Sequence, residues 1–159
     1  MLIDGLNPVF SGTARNCMWT VLAGFEAPGV LVTAIRRSLG GRTATSGFKG
    51  PAHEPFREVR VWFGDSDGLP GFVVIRAEPQ IAEIIGVDHQ GNEVVFDMSP
   101  TIPSLEIRFA VAAYPSGMPF DRLMVKGAHS ASAIALRSQA FPADGRSAGW
   151  NRLEPDRLE

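Results

Sequence analysis

At 159 residues, the chain is long enough for one well-buried core and short for two domains. Its formal net charge of −2 excludes a surface that is positive throughout, as general nucleic-acid binding requires, although it allows a local basic patch. The single cysteine excludes an intramolecular disulfide.

The chain shows no segment typical of targeting or of membrane insertion. The first ten residues contain Asp4 and no basic residue, unlike the charged start of a signal peptide. The longest apolar stretch, residues 18–35, is interrupted by Glu26 and Pro28, so no membrane span is expected. These features favour a cytoplasmic protein or a virion component.

The first predicted strands form a hairpin. Residues 16–25 and 30–37 are rich in apolar residues and flank the turn-forming segment 26–29. Residues 38–55 are rich in glycine, serine, threonine and proline, which predicts a long loop.

Residues 57–64 predict a strand with two different faces. Val59, Val61 and Phe63 alternate with Glu58, Arg60 and Trp62. Because Trp62 shares its face with two charged residues, we expect its indole to be exposed, where it could contact a ligand or another protein.

A second hairpin is the clearest local pattern in the sequence. After a strand at 71–77, the β-branched runs 81–87 and 93–98 flank the polar, glycine-containing loop 88–92. The two runs are therefore predicted to pair as adjacent antiparallel strands.

The strand at 105–114 has a strict alternation. Leu105, Ile107, Phe109 and Val111 are predicted to face the core, whereas Glu106 and Arg108 are predicted to face water. Residues 123–128 and 133–137 are the last predicted strands.

Short strands with frequent turn signals predict an all-β fold. We expect a single-domain antiparallel β-sandwich, or a partly closed barrel, of about eight to nine strands in residues 1–138. Residues 139–159 are polar and contain Pro142 and Pro155, so they predict a C-terminal tail.

The segment Gly64-Asp65-Ser66-Asp67-Gly68 follows a predicted strand. Gly-Asp-Ser resembles the first block of the GDS-type esterases, in which the serine is the nucleophile. The resemblance covers three residues, and the Asp-x-x-His block of that family is missing before His129. A Ca²⁺ loop using Asp65 and Asp67 and a simple polar turn are the alternatives.

No cofactor or metal motif is visible. His53, His89 and His129 are far apart in sequence and form no zinc-binding spacing. There is no dinucleotide-binding or P-loop glycine pattern. Cys17 lies in an apolar run and is predicted to be a buried hydrophobic residue.

The distribution of charge singles out one segment. Between Glu26 and Glu54 there is no acidic residue, whereas Arg36, Arg37, Arg42 and Lys49 are basic. The sequence therefore predicts that the Arg36–His53 segment, together with the tail from Gln139, forms a positive strip that binds an acidic protein surface or another anion.

These observations favour a non-catalytic binding or structural module that acts through protein–protein contacts. Its partner would be another protein or its own copies, as in a subunit of a bacterial or phage assembly, and its binding residues would be Arg36, Arg37, Arg42, Lys49 and Trp62. The first alternative is a small hydrolase with a site built from Asp65, Asp67 and a histidine. The second is a small-ligand carrier or sensor with an apolar interior.

Overall fold

Twelve β-strands contain most of the residues that the structure describes. The computed structural model describes residues 5–53, 58–66, 69–114, 120–127 and 131–135, and it contains no α-helix in these ranges. The strands are β1 (Asn7–Ala14), β2 (Cys17–Ala27), β3 (Val30–Leu39), β4 (Arg42–Gly50), β5 (Val59–Ser66), β6 (Leu69–Ala77), β7 (Ile81–Val87), β8 (Glu93–Val95), β9 (Asp97–Met98), β10 (Arg108–Tyr114), β11 (Arg122–Gly127) and β12 (Ala131–Ala135). The predicted all-β fold is confirmed.

The described residues include no helix that is long and apolar enough to cross a membrane. The predicted tail, residues 139–159, lies outside the described residues. The domain boundary at residue 138 therefore stays a prediction.

The strands form three antiparallel sheets of four strands each. The N-terminal sheet has the order β1-β2-β3-β4, the central sheet β5-β6-β10-β9, and the C-terminal sheet β12-β11-β7-β8. Each of these sheets is open in the described part of the chain, with an edge strand on either side, so it does not close into a barrel.

The central sheet is packed on both faces. One core, with Trp19, Leu31 and Phe109 among its members, lies between the N-terminal and central sheets. A second core, with Ile84 and Leu123 among its members, lies between the central and C-terminal sheets. The predicted sandwich packing thus occurs twice, with the central sheet shared by both layers.

Three two-residue turns join the strands of the N-terminal sheet, and two of them have positive φ at both residues. Arg15 and Asn16 link β1 to β2 with φ values of 52° and 63°, and Gly40 and Gly41 link β3 to β4 with φ values of 56° and 83°. Positive φ at both central residues is the requirement of a type I′ hairpin turn. The predicted loop at 38–55 is therefore wrong over Arg42–Gly50, which pairs with β3 along its whole length.

The second hairpin is confirmed, but the predicted strand at 93–98 consists of two short strands, β8 and β9, that belong to different sheets. β8 pairs with β7 through Ile85–Val95 and Val87–Glu93, whereas β9 pairs with β10 in the central sheet. Between them, buried Phe96 donates its backbone N–H to the Ile84 carbonyl oxygen at 2.9 Å. The chain thus passes from the C-terminal sheet to the central sheet at Phe96.

The two faces of β10 are both covered by neighbouring sheets. The predicted core residues of β10 and the turn before it are confirmed: Leu105, Ile107, Phe109 and Val111 are all buried against the N-terminal sheet. The opposite face is covered too, because Ala110 and Ala112 pack against the C-terminal sheet. Glu106 is exposed, as predicted, but Arg108 is half-buried and donates to the carbonyl oxygen of Ile81 in the C-terminal sheet.

Candidate functional site

The outer face of the N-terminal sheet carries two rows of mainly hydroxyl-bearing residues that cross all four strands. Residues that pair directly in a sheet share a face. The registers give one row of Ser11, Thr20, Arg36 and Thr45 and an adjacent row of Thr13, Met18, Ser38 and Thr43. We call these eight residues the hydroxyl–arginine face.

The rows lie toward the end of the sheet that carries the two type I′ turns. Ser11, Thr13, Met18, Arg36 and Thr43 are exposed, and Met18 is 66% accessible. Adjacent strands are about 4.8 Å apart and alternate residues about 7 Å apart along a strand, so the two rows form a regular grid.

This end of the sheet is basic. Within residues 7–50 the sequence contains one acidic residue, Glu26, which lies next to the β2–β3 turn at the opposite end. Glu26 accepts a hydrogen bond from Lys49 Nζ at 3.0 Å. Exposed Arg15 and Arg36 therefore lie in a region where the N-terminal sheet itself has no carboxylate.

The four predicted basic residues do not form one strip. Successive residues of a strand point to opposite faces, so Arg36 is exposed on the outer face whereas Arg37 is fully buried on the inner face. Arg37 Nη2 donates to Ser46 Oγ at 3.1 Å. Arg42 is exposed at the start of β4, and Lys49 pairs with Glu26. The sequence predicted that none of the four basic residues has an acidic neighbour. This is wrong for Lys49, which contacts Glu26.

Trp62 is buried, contrary to its predicted exposure. Only 1% of its surface is accessible, and its ring stacks on Phe48 at a centroid distance of 5.5 Å. Trp62 does share a face with Arg60, as predicted, but that face packs on the N-terminal sheet. Arg60 is buried because its guanidinium donates to the carbonyl oxygens of Pro51 and Ala52 in place of water.

Among the residues that the structure describes, one histidine–carboxylate pair is present. His53 Nδ1 lies 3.0 Å and 2.9 Å from the two carboxylate oxygens of Glu78. The side chains are 42% and 26% exposed, so this pair is at the surface, close to where the chain leaves the N-terminal sheet. It contains neither of the aspartates that the sequence suggested.

The structure describes only some of the other candidate residues. Asp65 belongs to β5, while Asp67 and His129 lie outside the described residues. His89 is exposed in the loop between β7 and β8. Among the described residues, no group of three or more His, Cys, Asp or Glu side chains could hold a metal ion.

Sequence reasoning missed the hydroxyl–arginine face because it treated Gly40-Gly41 as part of a loop. The local signal was present: Ser11-Gly12-Thr13 and Thr43-Ala44-Thr45 each place two hydroxyl groups at a spacing of two residues, as one face of a strand requires.

Comparisons with protein-family models, curated proteins and solved structures found no match for this chain.

Proposed function

We propose that the protein is a non-catalytic binding module and that its hydroxyl–arginine face binds an acidic surface of another protein. The observation that carries this proposal is the position of Arg36, exposed between Thr20 and Thr45 on the outer face of a four-stranded sheet. The broader proposal, that the protein is a subunit of a larger assembly, depends on the same face.

The chemistry of the face suits carboxylates. A guanidinium binds a carboxylate through two parallel hydrogen bonds. Hydroxyl groups on both neighbouring strands can donate to further oxygen atoms of the same partner. Exposed Met18 adds an adaptable apolar contact beside the charged group.

The local excess of positive charge favours an acidic partner over a neutral one. Arg15 and Arg36 are exposed at the same end of a sheet whose single carboxylate is at the other end. Such a field accelerates encounter with an acidic surface and weakens as salt is added. We therefore expect partner binding to fall between low and physiological ionic strength.

A direct test uses poly-L-glutamate as the acidic probe, with binding followed by fluorescence anisotropy at several salt concentrations. Arg36→Ser should weaken binding by about tenfold, because it removes the charged hydrogen-bond donor at the centre of the rows. The matched control is Arg122→Ser, which removes the same charge from exposed Arg122 on the C-terminal sheet. Equal binding by the two variants would refute the proposed face.

A small hydrolase is the second candidate, and the His53–Glu78 pair is the observation that favours it. A carboxylate bonded to one ring nitrogen orients a histidine so that its other ring nitrogen can act as a general base. The test is turnover of p-nitrophenyl esters of increasing chain length. Activity that His53→Ala abolishes and His89→Ala preserves would support this candidate, and activity equal to the uncatalysed rate would reject it. The carrier or sensor alternative stays a prediction.

A further inference from the structure

We propose that the outer face of the C-terminal sheet is an interface between two copies of this chain. This inference goes beyond the proposed function and does not depend on it, because the two faces lie on opposite sides of the three-sheet stack. The face has an apolar centre, charged margins of opposite sign and a distribution of residues that is complementary to itself.

The apolar centre is a continuous row across all four strands. The registers place Ala133 beside Met124, Met124 beside Ile85, and Ile85 beside Val95. Leu123, Val125 and Ile84, their neighbours along β11 and β7, are buried against the central sheet, so this row points the other way.

The row is accessible at both ends. Val95 is 61% exposed, Ala133 is exposed, and Met124 and Ile85 are partly exposed. Of the other large exposed apolar residues in the described ranges, Met18 and Phe25 lie seven positions apart on β2, and Val94 points to the opposite face from Val95, so they form no such row. A row of four apolar residues on an exposed sheet face is typical of an interaction surface.

Charged residues border this row on both sides. On one side Lys126 and Glu83 are direct partners, with Nζ and Oε1 3.0 Å apart. On the other side Arg122 pairs with Val87, which pairs with Glu93. The positive residues therefore lie on β11, and the negative residues lie on β7 and β8.

This distribution fits a second copy related by a two-fold axis. If the axis runs parallel to the strands between β11 and β7, β11 of one copy lies over β7 of the other, and β12 lies over β8. Lys126 then lies over Glu83 of the second copy, and Arg122 lies one strand, about 4.8 Å, from Glu93 of the second copy. Opposite charges thus meet at both margins, as an isologous interface requires.

The sizes of the facing side chains also match. Ala133 of β12 is small, whereas Val95 of β8, at the other end of the same row, is larger. Because β12 of one copy covers β8 of the other, Ala133 lies opposite Val95 at both ends of the row. The apolar rows can then meet without a gap, which keeps water from the centre of the interface.

The interface is small, so the dimer is expected to be weak. Four strands span about 14 Å across the sheet, which is below the extent of a standard protein–protein interface. Association should therefore depend on concentration between about 1 µM and about 1 mM, a range that sedimentation equilibrium covers.

The decisive experiment exchanges charges between the two margins. Arg122→Glu and Glu93→Arg should each weaken the wild-type dimer about tenfold or more by placing like charges across the interface. When the two variants are mixed, every Arg122–Glu93 contact becomes an opposite-charge contact again, so a heterodimer should form. This rescue distinguishes an interface from a mere loss of folding, because a misfolded variant would not be rescued.

Two further variants complete the test. Val95→Lys places a charge in the apolar centre at an exposed position and should abolish the dimer while circular dichroism stays unchanged. Glu106→Arg, in the turn before β10, makes the same charge reversal as Glu93→Arg at an exposed position away from this sheet and should leave the mass unchanged. A wild-type monomer at every concentration, whether the face is left open or covered by the chain's own C-terminal residues, overturns the proposal. A dimer that neither Val95→Lys nor the charge exchange alters overturns it as well.

Discussion

Arg60 and Arg76 are direct cross-strand partners in the central sheet, and both guanidinium groups donate to the carbonyl oxygen of Pro51. Two like charges side by side on one face oppose each other. Backbone carbonyl dipoles from the N-terminal sheet and the segment after β4 offset this repulsion. The Phe48 ring, 4.4 Å from the Arg76 guanidinium carbon, adds a cation–π contact. The pair therefore joins the first two sheets through the segment that connects them.

Replacement of Arg76 by methionine should lower the free energy of unfolding by about 2–5 kcal/mol. Arg76 is 2% exposed and donates to Thr33 Oγ1 at 3.0 Å and to the Leu31 carbonyl oxygen at 2.7 Å, so the variant leaves buried acceptors without these donors. Urea denaturation measures the change. The control is Arg36→Met at an exposed position, which should alter stability by about 0.5 kcal/mol or less. Equal losses would mean that the buried hydrogen bonds contribute nothing.

Arg108→Ala should cost about 1–3 kcal/mol, well above the cost of an ordinary surface substitution. Its Nε donates to the Ser99 carbonyl oxygen at 2.9 Å, and its Nη1 donates to the Ile81 carbonyl oxygen, which links β10 to β7 across the second core. Glu106→Ala, two residues away at an exposed position, serves as the control and should cost about 0.5 kcal/mol or less. Denaturation curves that place both variants within error of the wild type would contradict the inferred link.

Alternation along single strands was predictable from the sequence, because burial of one strand face is a local property. Leu105, Ile107 and Phe109 are examples. What lies opposite each face was not predictable, since that depends on which sheets pack together. Arg60 and Arg108 suggested water-facing sides, yet each bonds to carbonyl oxygens of a neighbouring layer. The alternation pattern of a strand therefore does not show whether an arginine in it is buried or exposed.

The candidate site was predictable only in part, for a related reason. Arg36 was identified from the absence of nearby acidic residues, and it is exposed as expected. β4 was missed because an edge strand with one large apolar residue, Phe48, has too few hydrophobic positions to show alternation. Without β4, the loop hypothesis grouped Arg36 with Arg37, although a paired strand places them on opposite faces.

Gly71→Ala should destabilise the protein by about 1–3 kcal/mol, because the added methyl group has no space. Gly71 pairs with Tyr114, whose ring covers it, and a Cβ at this position would lie 2.3 Å from Tyr114 Cζ. The matched control is Gly50→Ala in β4, where a Cβ would meet nothing within 4 Å. Thermal unfolding should show a lower midpoint for the first variant and an unchanged or higher one for the second. An unchanged midpoint for Gly71→Ala would show that the Tyr114 ring moves away at little cost.

The loop between β7 and β8 should make stability sensitive to acid through Asp88. Desolvation raises the pKa of Asp88, but hydrogen bonds from the Asn92 backbone amide, the Asn92 side chain and the Gln90 amide, together with the charge of His89, lower it below its ordinary value of 3.8. A carboxylate whose pKa is lower in the folded state contributes stability above its unfolded pKa, and this contribution is lost as the pH falls through the folded value. Wild-type protein should therefore lose more stability between pH 6 and about pH 3 than Asp88→Asn, which keeps an acceptor oxygen but does not titrate. Urea midpoints measured for both proteins at each pH give the difference, and the remaining carboxylates cancel because the two chains share them. Parallel curves for the two proteins would show that Asp88 does not couple the loop to pH.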